Sequence, residues 1–201
     1  MTVTHLTRKC IFLDRDGVLN EDFGYTSEVS KLRLVKGAVP GLLKLQKAGF
    51  DLVVVTNQSG VARGLYSMES VNRFNRHLSE VITTEAPEVS ILDFMVCPHH
   101  PKGSVVEFAI ECECRKPGAK LVLDAATQYS FDLAKCWLIG DKISDVDCAI
   151  NAGIPGIQVA SQVTGGGKQY ELHPKPYACV KDLEEAAELI LSGTSSCRAK
   201  A

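Results

Sequence analysis

Short apolar runs, each followed by a helix-length stretch, constrain this chain more than any other feature. CIFLD (10–14), DLVVVTN (51–57), ILDFMVC (91–97), KCWLIGD (135–141), GIQVA (156–160) and YACV (177–180) read as strands. The Val-rich second run suits a strand covered on both faces. Between them, GAVPGLLKLQKAGF reads as a helix closed by Gly49, and Ser67 to Thr84 as a helix with Ser67 as N-cap. Further helices are expected from Ala119 to Tyr129, over SDVDCAINAG to Gly153, and over DLEEAAELILS. This β-α-β alternation predicts an α/β three-layer sandwich with a mainly parallel, Rossmann-like sheet. In such sheets ligands bind at the carboxyl ends of the strands. Asp14, Thr56 and Asp141 fall there, so these positions are the first candidates for chemistry.

Size and charge narrow the function classes. The 201 residues suit one domain spanning 1–201, without a large inserted cap. A net charge of −2 gives no basic field for nucleic acid or an acidic membrane. No apolar run is long enough to span a bilayer, and the N-terminal run leads straight into charge as a strand, not a secretory signal. The expectation is a cytoplasmic protein, monomeric, with its eight cysteines reduced. No GxGxxG follows the first strand, which argues against a dinucleotide-binding domain.

IFLDRDGVLN places Asp14 at a strand end and Asp16 two residues on, before a turn that Gly17 permits. A strand-end carboxylate can attack phosphorus, forming an aspartyl-phosphate. A second carboxyl nearby can protonate the leaving oxygen and later activate water. Two acids facing a phosphate call for a cation, and Mg²⁺ binds through one or two carboxylates with phosphate oxygens and waters. VVVTNQSG supplies Thr56 and Asn57 for phosphate oxygens, CRKP supplies the cation Lys116, and LIGDKISD supplies Asp141 as a further anionic ligand. CRKP also carries Arg115, whose guanidinium is suited to bidentate pairing with an oxyanion.

These motifs, in the order DRDGVLN, VVVTNQS, CRKP and GDKISD, closely resemble the haloacid dehalogenase superfamily of phosphatases over nearly the whole chain. The resemblance implies Asp14 as nucleophile and Asp16 as general acid/base. It implies Mg²⁺ held by the Asp14 carboxylate, the Asp16 backbone carbonyl and Asp141, with Thr56 and Lys116 stabilising the transferring phosphoryl group. That division of labour suits phosphoryl transfer, where positioning and charge neutralisation supply most of the rate. The intact set of Asp14, Asp16, Lys116 and Asp141 argues against a non-catalytic binding module.

CPHHPKGSVVEFAIECECRKP (97–117) contains a Cys-x-His pair, Cys97 and His99, and a Cys-x-Cys pair, Cys112 and Cys114. Four N/S ligands in two close pairs suit a tetrahedral, closed and therefore structural Zn²⁺ site in a loop at about 97–116. Spacing favours His99 over His100, which is left to face solvent or substrate. Of the other cysteines, Cys10, Cys136, Cys148 and Cys179 sit in apolar segments and read as core; Cys197 reads as an exposed tail thiol.

The zinc loop resembles a small subfamily of the same superfamily. One branch acts on D-glycero-D-manno-heptose 1,7-bisphosphate at the 7-phosphate, the other on histidinol phosphate. The long HPKGSVVEFAIE stretch is similar to the heptose branch. That implies a small phosphosugar substrate contacted by Asp22, Phe23, Gly24 and Tyr25, by Thr56, Asn57, Gln58 and Ser59, and by Arg115, Lys116 and Lys142. TGGGKQ (164–169) fails the phosphate-loop pattern: Gln162 stands where Gly is required, and Gln169 where Ser or Thr is needed. It is expected to be a loop with Lys168 near substrate.

Overall fold

The computed structural model describes residues 8–160 and 172–193. Six strands form one sheet: β1 (Cys10–Leu13), β2 (Asp51–Asn57), β3 (Asp93–Cys97), β4 (Trp137–Gly140), β5 (Gly156–Val159) and β6 (Ala178–Val180). Their order is β3-β2-β1-β4-β5-β6, and every pairing is parallel. The chain therefore grows outward from β1 to β3, returns to the middle, and grows the other way from β4. The direction reverses between β1 and β4, which opens a crevice at their carboxyl ends.

Strand alternation divides the core in two. Ile11, Leu13, Leu52 and Val54 face one side, packed by α1 (Ala38–Lys47), α2 (Met68–Glu85) and α5 (Leu183–Ser192) through Leu42, Leu45, Phe74, Leu78, Leu183 and Ala186. Cys10, Phe12, Val53 and Val55 face the other, packed by α3 (Lys120–Tyr129) and α4 (Ile143–Asn151) through Leu121, Val122, Ala125, Cys148 and Ala149. The expected three-layer sandwich is present, with a purely parallel sheet. The Ser67 side chain accepts from the Ser70 amide as the N-cap of α2, and Gly49 follows α1 at φ +83°.

Two expectations need correction and two lie elsewhere. Cys179 is exposed, not core, because three-residue β6 is the sheet edge and its middle residue points outward. Thr56 lies inside β2, one residue before its end. The TGGGKQ segment with Gln162, Lys168 and Gln169, and the tail with Cys197, lie outside the described residues. Among the described residues, no helix is long and apolar enough to cross a membrane.

Candidate active site and metal clamp

The crevice between β1 and β4 gathers three buried carboxylates, Asp14, Asp141 and Asp145, with oxygens within 4.8 Å of one another. Asp14 follows β1 and Asp141 follows β4. Gly17, at φ +88°, brings the turn after Asp14 against Asp141; a Cβ there would collide with the Asp141 carboxylate. Lys116 enters this cluster almost fully buried. Its ammonium lies 2.8 Å from Asp14 Oδ1 and 2.6 Å from Asp145 Oδ1, and donates to the Val55 carbonyl at 2.8 Å. All three of its donors are thus matched. Lys142 approaches from the half-exposed side, 3.3 Å from Asp22, 3.5 Å from Asp141 and 3.9 Å from Asp14.

The charges control one another. Burial alone would push the Asp14 carboxyl up, but the Lys116 and Lys142 ammoniums hold it below the usual carboxylate range. Burial pushes Asp145 up, against the partial opposition of Lys116. Burial would lower Lys116, and Asp14 with Asp145 hold it above the usual lysine range instead. Asp14 is therefore ionised at neutral pH, and its neighbour Lys116 is charged.

Three carboxylates against two ammoniums leave one negative charge in a hard-oxygen site, a donor set that fits Mg²⁺. Asp145 has both oxygens engaged: Oδ1 is ion-paired with Lys116 at 2.6 Å, and Oδ2 accepts from the Lys142 backbone amide at 2.9 Å, at the start of α4. Asp14 and Asp141 are therefore the side chains better placed to bind a cation. Asp145 went unrecognised in the sequence. Its signal was the four-residue step from Asp141, which carries a strand-end acid into the first turn of the following helix.

Asp16 does not join this cluster. Its Oδ1 accepts from Arg15 and from Asn20 Nδ2 at 2.9 Å, and its Oδ2 accepts from Arg15 Nη2 at 3.0 Å and Gln58 Nε2 at 2.8 Å. Arg15 is fully buried. It also donates to Asn75 and the Thr26 carbonyl and stacks over Phe74. Nothing in the sequence marks this arginine as buried; between two acids it looks like solvated charge.

The residues expected to contact substrate divide. Asp22, Phe23, Gly24 and Tyr25 form an open rim, with Phe23 and Tyr25 exposed and Asp22 paired to Lys142. Asn57 is turned elsewhere: its amide donates to the Lys116 carbonyl and accepts from the Lys116 amide, both at 3.0 Å. Gln58 is also turned inward, bonded to Asp16 and Thr56. These two side chains hold Lys116, Asp16 and Thr56 in place, because a polar residue at a strand end satisfies the nearest backbone or carboxylate first. Ser59 is half-buried beside them. Arg115 donates to the His99 carbonyl at 3.3 Å.

The second cluster is Cys97, His99, Cys112 and Cys114, again within 4.8 Å. The sulfurs of Cys114 lie 3.0 Å from Cys97 and 3.4 Å from Cys112; Cys97 and Cys112 are 3.6 Å apart. His99 Nδ1 lies 3.3 Å from the Cys114 sulfur and 3.8 Å from that of Cys97. A tetrahedron with metal–sulfur bonds of about 2.3 Å has edges of about 3.8 Å, so the donor set suits Zn²⁺ once the Cys97–Cys114 edge opens by about 0.8 Å. His99 is the ligand-facing histidine. His100 turns away, its Nε2 3.1 Å from Arg63 Nη2 and its Nδ1 accepting from the Lys102 amide. Arg63, a further residue the sequence did not single out, has a buried Nε with no hydrogen-bond partner and leans over Tyr25. Burial, then Arg115, Arg63 and Lys102, push the His100 pKa down, which reports a cationic patch beside the crevice.

Over residues 113–186 the chain matches a family model described as HAD-hydrolase-like. It is 37% identical over 158 residues to the D-glycero-beta-D-manno-heptose-1,7-bisphosphate 7-phosphatase of Rhodopseudomonas palustris, covering 79% of this chain and 87% of that one. It is 36% identical over 151 residues to the D-glycero-alpha-D-manno-heptose-1,7-bisphosphate 7-phosphatase of Photorhabdus laumondii, covering 75% and 81%. The crystal structure of D,D-heptose 1,7-bisphosphate phosphatase from B. bronchiseptica, complexed with magnesium and phosphate, matches with a TM-score of 0.77 at 28% identity. That match covers 94% of this chain and 100% of the other.

Proposed function

The chain belongs to the family of the manno-heptose-1,7-bisphosphate 7-phosphatases, within the haloacid dehalogenase superfamily, and on that premise we propose that it removes the 7-phosphate of D-glycero-D-manno-heptose 1,7-bisphosphate. Its place is then the synthesis of ADP-heptose for lipopolysaccharide core, or of GDP-heptose. The observation that carries the reading is Asp14, ionised at the mouth of the β1/β4 crevice with Lys116 against one oxygen.

Asp14 attacks the 7-phosphorus; an Asp14 oxygen–phosphorus bond forms as the bond to the sugar oxygen breaks. Asp16, protonated for this step, gives its proton to the departing sugar oxygen. The Asp16 carboxylate then takes a proton from water, whose oxygen attacks phosphorus and releases Asp14 with inorganic phosphate. Lys116 and the Thr56 hydroxyl stabilise the phosphoryl oxygens. Asp14, Asp141 and the Asp16 backbone carbonyl would hold Mg²⁺, which supplies charge neutralisation. Cys97, His99, Cys112 and Cys114 would hold Zn²⁺ as a structural clamp. Lys142 with Asp22 to Tyr25 lines the mouth. Arg115, Arg63, His100 and Lys102 offer the remote 1-phosphate a cationic surface; among the described residues, Arg63, Lys102 and Arg115 have no acidic partner within salt-bridge distance. The proposal takes the chain as a single-domain enzyme acting as a monomer in the cytoplasm.

Phosphate release from both heptose bisphosphate anomers and from histidinol phosphate, side by side, tests the proposal. Faster turnover of either heptose anomer is expected, and its identity chooses between the two nucleotide-sugar routes. Preferred turnover of histidinol phosphate would overturn it.

A further inference from the structure

The acid/base carboxylate and the phosphate-binding hydroxyl share one neighbour. Gln58, almost fully buried, directs its Nε2 at both Asp16 Oδ2, 2.8 Å away, and Thr56 Oγ1, 2.9 Å away. Its Oε1 accepts from the Tyr66 hydroxyl at 2.9 Å. Asp16 Oδ2 also accepts from Arg15 Nη2, a group with donors only, so this oxygen is an acceptor, the NH₂ end of Gln58 faces it and the carbonyl end faces Tyr66. Tyr66 must then be the donor. With both amide hydrogens used, Thr56 Oγ1 accepts from Gln58, and its own proton is directed away from the amide, where a phosphoryl oxygen can receive it. A reversed amide would set an oxygen against Asp16 and capture the Thr56 proton. Burial pushes the Tyr66 hydroxyl up to about 12, so it keeps the donated proton across the working range. The ring itself is seated on Gly60, where a Cβ would run into it.

We propose that Tyr66 is a positioning residue for this phosphatase: acting through Gln58, it fixes the hydrogen-bond polarity of Asp16 and Thr56 together. The inference rests on Asp16 and Thr56 acting as described above.

Tyr66→Phe keeps the ring and deletes only the hydroxyl. On heptose bisphosphate it is expected to lower kcat about fivefold with KM unchanged, the scale of one buried hydrogen bond. In a Gln58→Ala background the same substitution is expected to change kcat by less than about 1.5-fold, since the effect passes through Gln58. An equal loss in both backgrounds, or none in either, overturns the proposal. Asp16→Asn is assayed alongside. Should it retain wild-type turnover, the acid/base reading fails and takes the inference with it. Should it be inactive while Tyr66→Phe behaves alike in both backgrounds, the inference alone fails. Side-chain amide NMR of the wild-type protein gives a test independent of any variant. A fixed Gln58 shows NH₂ hydrogens protected from solvent exchange; a pair that exchanges as fast as a solvated amide contradicts it.

Discussion

The two polar clusters of this molecule are built by opposite routes. The sulfur–imidazole clamp takes its four residues from one short stretch, the end of β3 and the loop after it, in two closely spaced pairs at Cys97/His99 and Cys112/Cys114. The carboxylate–ammonium site takes Asp14 from the end of β1, Asp141 and Asp145 from β4 and α4, and Lys116 from just beyond the clamp. Soft ligands make the first a closed structural site, and hard oxygens make the second an open site for a phosphate. They meet at Lys116. Two residues past the last sulfur ligand, its backbone is gripped by Asn57 while its side chain joins Asp14 to Asp145. The clamp's first ligand is tied to the same region, because the Gln58 amide donates to the Cys97 carbonyl at 2.8 Å. A local cluster of candidate metal ligands thus adjoins a charge in a site assembled across the chain.

Substitutions separate the two clusters in graded steps. Asp14→Asn carries the largest expected effect: loss of about 10³-fold or more in phosphate release, as for other nucleophile deletions. Zinc content and thermal midpoint are expected to stay unchanged, and a parallel loss of zinc would merge what the comparison separates. Lys116→Met comes next. It leaves Asp14 and Asp145 buried without their cation, so a fall of about 3–5 kcal/mol in unfolding free energy is expected by urea titration, with activity abolished. Chelation of zinc follows. Turnover is expected to fall about tenfold or more and to be restored by zinc but not by added Mg²⁺, with an outer-ligand-type loss of positioning as the cause. Full activity in zinc-free protein would disconnect the clamp from Lys116.

Arg115→Ala sits lower. It is expected to raise KM for the bisphosphate about tenfold, by about one charged hydrogen bond, while leaving kcat for p-nitrophenyl phosphate near wild type. An equal loss on both substrates would remove the remote-phosphate role.

The smallest effect tests the core behind the clamp. Burial pushes the Cys148 thiol up from 9.0 to about 12. The folded state therefore holds this proton more tightly than the unfolded state. Its stabilising effect is intact below pH 9 and is lost as the pH rises toward the folded value. Between pH 8.5 and 11 the wild-type protein is expected to lose about 1–2 kcal/mol more than Cys148→Ala, read from urea midpoints. Identical alkaline slopes would contradict it.

Much of this was legible in the sequence, for specific reasons. The strands announced themselves because a doubly covered parallel sheet needs continuous apolar runs such as DLVVVTN. Ser67 marked the start of α2 because its side chain can cap the first free amides. The clamp was legible because its ligands are local. What stays hidden in the sequence is side-chain direction and strand order. Sequence names Asn57 and Gln58 as polar residues beside a phosphate motif but not which way they turn; both turn inward, to Lys116 and to Asp16 with Thr56. Arg15 looks like surface charge, yet its guanidinium is enclosed by Asp16, Asn75, Thr26 and Phe74. Cys179 looks apolar enough for a core, yet lies on an edge strand, a fact of topology alone.

The double hydrogen bond between Asn57 and the Lys116 backbone has a consequence for how such enzymes diversify. It fastens Lys116 to β2 through contacts that use nothing between His99 and Cys112. That intervening segment leaves and returns at metal ligands, so its length and side chains can be exchanged as a cassette. Substrate range can then drift while the chemical machinery stays fixed.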